Sequence, residues 1–258
     1  MSRAVPILMY HQVTPHPEPA FRKYAITPRR FALHMLCVSR LGYTPITLDV
    51  LLGTPDSWPK RPVVITFDDG YQDSVEYAVP ILRARGFTAV FYLVAGLTGR
   101  TSRWLQRERG VEFPLLGWET ARWLDATGFS CGSHTLTHPR LAGLSPAACR
   151  DELRRSRELL EDQLGGAVRD LAYPFGSFNP EVRAIAQEEG YRSACSVRIG
   201  LSDPADDPLA LHRVPVNGGE SVLDFLCRLR SGLLCAQLAR AAAAVGRRRL
   251  SRTGGLAR

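Results

Sequence analysis

Short apolar runs alternate with amphipathic helical stretches along most of this chain, and that order limits its fold more than any other feature. Residues 5–10, 44–48, 63–67, 88–94, 129–133, 170–173, 192–197 and 213–216 are rich in β-branched or aromatic side chains and read as strands. Between them, 28–41, 75–85, 118–127, 146–164 and 180–189 carry apolar residues at helical spacing, and Gly42, Gly86, Gly128 and Gly165 follow four of these as stop signals. Ser145 and Pro146 open the longest helix, as a cap and a first-turn proline do. The stretch 96–115 is polar and irregular and reads as a surface excursion. Repeated strand-then-helix units with no internal repeat and no linker predict an α/β protein: a single-domain, distorted (β/α) barrel of about seven strands. A length of 258 residues suits one such barrel.

Charge divides the chain unevenly. The net charge is +8, yet residues 225–258 hold eight arginines and no carboxylate, which leaves 25 basic and 25 acidic residues in 1–224. The reading is a neutral catalytic body, 1–224, followed by a basic C-terminal helix and tail, 225–258. A basic pI that comes from a tail excludes a nucleic-acid-binding domain. Val222, Phe225, Leu226, Leu229 and Leu233 recur at helical spacing before Ala241 and the run Arg247, Arg248 and Arg249. That pattern fits a packed terminal helix with a solvated end, or a peripheral contact with anionic lipid. No stretch is apolar enough to span a membrane, and the first ten residues lack a signal-peptide cleavage site. Six scattered cysteines without a CxxC pair read mostly as reduced, buried thiols. The expected location is cytoplasmic.

Three strand ends carry chemistry. Asp68 and Asp69, in TFDDG, follow the run 63–67. They fit a solvated turn opened by Gly70, or a site in which two carboxylates divide the work. His134 and His138, in HTLTH, follow 129–133 at the four-residue spacing that puts two imidazoles on one side of a helical turn. Two imidazole nitrogens and one carboxylate oxygen make a three-ligand metal set with a position left open. In YPFG, Tyr173 ends a strand, Pro174 lacks an N–H and Gly176 permits a sharp turn. The turn is either structural or a means of aiming the Phe175 N–H as an oxyanion donor. In a (β/α) barrel these strand ends share one face.

Together, TFDDG, HTLTH and YPFG resemble the first three motifs of the polysaccharide deacetylases, carbohydrate esterase family four, in order and across at least 63–216. The opening AVPILMYHQV with GYTPITL resembles the exopolysaccharide N-deacetylase branch. The resemblance implies a metal-dependent hydrolase that removes acetyl groups from N-acetylated amino sugars of a polysaccharide, oligosaccharide or glycoconjugate. It implies one divalent ion, zinc first and cobalt, nickel or iron after it, held by Asp69, His134 and His138. Asp68 would be the general base, and Tyr173, Pro174 and Phe175 would form the oxyanion and substrate wall. His11, at the C-terminal end of the first strand, would protonate the leaving amine. His212 competes for that role, but it precedes the run 213–216 and so belongs at the opposite end of a parallel strand.

Two departures stand out. Ala172 occupies the position where the family often has an arginine that steadies the catalytic aspartate, and the family's C-terminal aspartate-tryptophan motif is absent. The alternatives are a deacylase of a small cyclic amide or ureide on the same scaffold, or an inactive domain that binds glycan or a membrane surface.

Overall fold

The computed structural model describes residues 4–233 and Gln237. Its chain opens with β1 (Ile7–Tyr10), a short parallel pair β2 (Gln12–Val13) and β3 (Ala25–Ile26), and α1 (Pro28–Arg40). There follow β4 (Thr44–Pro45), α2 (Leu48–Leu51), β5 (Pro62–Phe67), α3 (Gln72–Arg83), β6 (Val90–Leu93), α4 (Arg103–Arg109), α5 (Trp118–Ala126) and β7 (Ser130–Ser133). The remainder is α6 (Pro146–Leu164), β8 (Asp170–Ala172), α7 (Pro180–Glu188), β9 (Ser193–Ile199), β10 (Leu211–Pro215) and α8 (Val222–Ser231).

Seven of these strands close a parallel ring in the order β1, β5, β6, β7, β8, β9, β10 and back to β1. β4 pairs only with the opening residues of β5. This is the expected barrel. Strand alternation sorts its side chains into two layers. Ile7, Val64, Val90, Tyr92, Ala172, Cys195 and Leu211 pack together inside the ring, where Ile46, Leu48, Leu51 and Trp58 join them. Leu8, Ile65, Phe67, Phe91, Leu93 and Val214 face outward into a larger core shared with the surrounding helices. Phe67 and Phe91, on neighbouring strands, stack at 4.8 Å between ring centroids.

The helix caps follow the sequence. Thr27, Ser145 and Asn179 accept from backbone N–H groups three residues on, and Pro28, Pro146 and Pro180 occupy the first turns behind them. Three elements differ from expectation. The strand expected at 44–48 stops at Pro45, because Thr47 caps α2 instead. The excursion at 96–115 contains α4. The strand expected at 213–216 begins at Leu211, so His212 lies within it.

α8 crosses the 224/225 boundary drawn from charge, and it belongs to the core. Phe225 and Leu229 are fully buried, and the Phe225 ring stacks on His34 of α1 at 4.0 Å. The arginines from 240 onward, and the lipid contact expected of them, lie outside the described residues. Among the described residues no helix is long and apolar enough to cross a membrane. Cys37, Cys131, Cys149 and Cys195 are free thiols. Cys227 is disulfide-bonded, which no CxxC spacing in the sequence announced.

If α8 is part of the fold, Phe225→Ala should cost about 3–5 kcal/mol in denaturant unfolding, as for a fully buried aromatic. A loss under about 0.5 kcal/mol, the surface range, would make α8 an appendage.

Candidate active site

The period-two rule that builds the barrel also aims its functional side chains. On β5, Val64 and Thr66 face inward and Asp68 continues their parity past the strand end. Its N–H still donates to the Tyr10 carbonyl at 2.9 Å, so the ladder persists that far. On β7, Gly132 lies against the Tyr92 ring and His134 is next on the same face. On β1 the inward series is Ile7, Met9 and His11, and on β10 it is Leu211, Arg213 and Pro215. Asp68, His134, Met9, His11 and Pro215 line one cavity of about 550 Å³ at the C-terminal mouth of the barrel.

Asp69 should point away by parity, and a backbone reversal turns it in. Its φ is 74°, in the left-handed region that L-residues other than Asn and Asp rarely enter. Asp69 Oδ1 then lies 3.3 Å from His134 Nε2 and 3.2 Å from His138 Nε2. All three residues are buried. Gly70, at φ 72°, completes the turn beneath Leu93, where an added Cβ would meet Leu93 Cδ2 at 3.1 Å.

The HTLTH segment is not the helical turn its spacing suggested. It is a loop with Thr135 and His138 both at φ 66°, and an outer helix holds it in that form. Glu152 of α6 accepts from the N–H groups of Leu136 and Thr137 at 3.0 and 2.9 Å and from the Thr137 hydroxyl at 2.6 Å. Ser133 Oγ accepts from the Thr135 N–H at 3.1 Å and lies 2.8 Å from Ser156 Oγ, also on α6. Gly96 comes close from the other side, donating to the Leu136 carbonyl at 2.9 Å; a Cβ there would sit 2.7 Å from that oxygen.

His134 Nδ1 faces the Ala172 carbonyl at 2.7 Å. A carbonyl oxygen has no proton, so Nδ1 carries it, and the neutral ring presents a lone pair at Nε2 to the Asp69 carboxylate. Two lone pairs at 3.3 Å need a cation between them, either a proton or a metal. Burial alone would push His134 down, but the hydrogen bond to Asp69 and the charges of Asp68 and Asp69 raise it. Burial likewise opposes ionisation of Asp69, yet hydrogen bonds from His134 and His138 hold it well below the usual carboxylate range. Among the described residues Asp69, His134 and His138 are the group able to hold a metal ion, their donor atoms lying within 4.8 Å of one another.

The sequence reading missed Arg213. Its guanidinium is fully buried and donates from Nη1 and Nη2 to the two oxygens of Asp68, both at 2.7 Å. Nε donates to the Ser196 carbonyl at 2.8 Å, and Nη1 also reaches Thr66 Oγ1 at 3.3 Å. Burial pushes Asp68 up, but Arg213 and His134 outweigh it and the pKa is lowered. Arg213 thus makes, from β10, the contact with Asp68 that the resemblance expected of an arginine at position 172. The signal was an arginine on the inward parity of LHRVP. Reading it required the pairing of β1 with both β5 and β10, which sets Leu8 level with Ile65 and Val214.

The remaining candidates divide. His11 is half-buried, lines the cavity and packs on Tyr24 at 5.1 Å; its pKa is lowered by burial against the pull of Asp69 and Asp68. His212 is absent from the lining and pairs with Asp206 at 3.2 Å. Phe175, at φ 58°, lines the cavity, with its ring against His138 and under the Arg140 guanidinium. Tyr173 reaches the wall, but its hydroxyl donates to the Leu209 carbonyl at 3.0 Å and its ring stacks on Phe178. Its parity, opposite to that of Ala172, sends the side chain outward. Pro174 is buried in the turn behind them.

The family model described as polysaccharide deacetylase matches residues 56–194, more than half of the sequence. YxkH of Bacillus subtilis (strain 168) is 29% identical over 221 residues, covering 84% of this chain and 73% of its own. The peptidoglycan-N-acetylglucosamine deacetylase of Bacillus cereus is 25% identical over 173 residues, 65% of this chain and 56% of its own. The solved structure of the Streptococcus pyogenes deacetylase PplD in complex with acetate shares the fold at a TM-score of 0.73. It is 24% identical and is matched over 86% of this chain and 96% of its own. The chain belongs to the polysaccharide deacetylase family.

Arg213→Met should cost about 3–5 kcal/mol near neutral pH, because it strands a buried carboxylate. The Asp68 pKa is depressed in the folded protein, so the pair's contribution is present above the unfolded value of about 3.9 and is lost as pH falls through the folded value. Urea unfolding of both proteins at several pH values should therefore show their difference shrinking on acidification. A gap that widens below about pH 4 would contradict the pairing.

Proposed function

We propose that this protein is a metal-dependent hydrolase that removes acetyl groups from N-acetylated amino sugars of a polysaccharide, oligosaccharide or glycoconjugate. The observation that carries this reading is the placing of the Asp69, His134 and His138 set and the Arg213-bound Asp68 in one cavity. The donor set suits a borderline first-row ion, zinc first, with cobalt, nickel or iron as alternatives. When bound, that ion would supply Lewis acidity towards the amide carbonyl and would acidify water. Partly buried rings of Tyr24, Trp104 and Phe175 line the cavity and offer apolar faces to a sugar ring, which favours a glycan over a small ureide.

Asp68 is the proposed general base. Arg213 grips both of its oxygens and fixes the carboxylate, while each oxygen keeps a second lone pair for a proton from water. A lowered pKa makes it a weak base, and acidified water needs no stronger one. The Phe175 N–H, in its left-handed turn, is the proposed donor to the developing oxyanion. His11, at the end of β1 on the wall of the same cavity, is the proposed donor to the departing amine nitrogen.

Acetate release from N-acetylated glycans, measured beside metal content, tests the division of roles. His134→Ala should lose both metal and activity. Asp68→Asn should keep about one divalent ion per chain and lose most turnover. Equal metal loss in the two variants would mean that the aspartate and histidine roles are wrongly divided.

The acid is tested separately. His11→Ala should retain metal and lose about 10²–10⁴-fold in rate, with His212→Ala nearly silent. A silent His11 and a damaged His212 would reverse the assignment.

A further inference from the structure

Arg228 sits in the same cavity with hydrogen-bonding capacity unused. It is only 4% exposed, on the second half of α8, and its Nη2 pairs with Glu220 Oε1 at 2.8 Å. Asn217 Nδ2 donates to the same carboxylate oxygen, so Glu220 is anchored and in turn anchors the guanidinium. Among the described residues, Nε and Nη1 of Arg228 are buried without a hydrogen-bond partner, as is Glu220 Oε2. A guanidinium always carries its charge and all five N–H groups, so it cannot escape the loss by deprotonating. Buried donors left unmade are expensive and uncommon in native structures, and a ligand is a standard reason for them.

Removing a neutral acetyl group does not call for this arginine. The acetamido group carries no charge, and the proposed chemistry already has its residues in Asp68, Asp69, His134, His138, Phe175 and His11. The other charges on the lining do not answer it either. Arg213 neutralises Asp68, Glu108 lies 3.6 Å from Arg140, and Asp69 faces His134 and His138. Lys23 and Arg109 add two further cations, both over the Tyr24 ring. The cavity therefore has positive charge to spare beyond its proposed catalytic centre.

We propose that the substrate is an N-acylated sugar bearing an oxyanion, phosphate or carboxylate, which accepts hydrogen bonds from Nε and Nη1 of Arg228. This rests on reading the cavity as a deacetylase site and specifies which sugars it takes. The aromatic rings would receive the sugar, and Arg228 would select those that carry the anion.

Three probes test it on the full-length protein: N-acetylglucosamine 1-phosphate, the methyl glycoside of N-acetylglucosaminuronic acid, and neutral methyl N-acetylglucosaminide. Acetate release and calorimetric binding are both measured. At least one anionic probe should exceed the neutral one about 10- to 100-fold in kcat/KM, the range for a charge-assisted hydrogen bond. Arg228→Gln should collapse that ratio, and Arg228→Lys, which keeps a cation beside Glu220, should recover part of it. A preference for the phosphate probe alone, or for the uronate alone, supports the proposal and identifies the anion. Equal kcat/KM and equal affinity for all three probes overturns it, and that comparison needs no variant to fold. A preference that survives in a folded Arg228→Gln overturns it as well. Tighter binding of an anionic probe that depends on Arg228, with no acetate released, would sustain this inference and sink the deacetylase reading. Acetate released equally from all three would do the reverse.

Discussion

The buried pair of Asp68 and Arg213 is the interaction on which the rest of the site depends. A carboxylate at the mouth of an apolar barrel is tolerable only with a partner, and this one has both oxygens occupied by a fully buried guanidinium. The pair ties the end of β5 to the middle of β10, with β1 between them in the ring. It fixes the direction of Asp68, and by absorbing that charge it leaves Asp69 as the carboxylate facing the two histidines. Two adjacent acids can therefore differ in environment without differing in residue type.

The local backbone is bent to serve the same arrangement. Asp69, Thr135, His138 and Phe175 are the described non-glycine residues with positive φ, and all four are in the turns around the cavity. A β-branched threonine in that region is unusual, so the conformation has to be imposed by its surroundings. Here the restraints are visible: Glu152 and Ser133 take up the loop's N–H groups, and His138 donates its own to Thr135 Oγ1 at 3.0 Å.

Much of this was legible in the sequence, and the parts that were not share a cause. The alternation of strands and helices pointed to the barrel, and strand-end position pointed to the face on which Asp68, His134 and His11 emerge. Caps and glycines placed α6 and α1 almost to the residue. What escaped depends on relations between distant segments. Arg213 meets Asp68 across 145 positions, and Glu152 holds a loop that four-residue spacing had read as a helical turn. The helical spacing of Phe225 and Leu229 had marked a packed helix there, while a boundary drawn at 225 from charge cuts through α8, because net charge says nothing about where an element begins.

The ring is closed by β1, which pairs with β5 on one side and β10 on the other. A chain emerging from the ribosome therefore presents His11, Asp68, Asp69 and both metal-set histidines long before β10 exists. Until then β1 has an unpaired edge, and Asp68 has no counter-charge. The site cannot be assembled piecemeal as synthesis proceeds, since its cornerstone arrives with the last strand. Such late, long-range closure makes for slow folding and for an edge that needs shielding in the interval. In this protein the step that finishes the barrel is also the step that arms it.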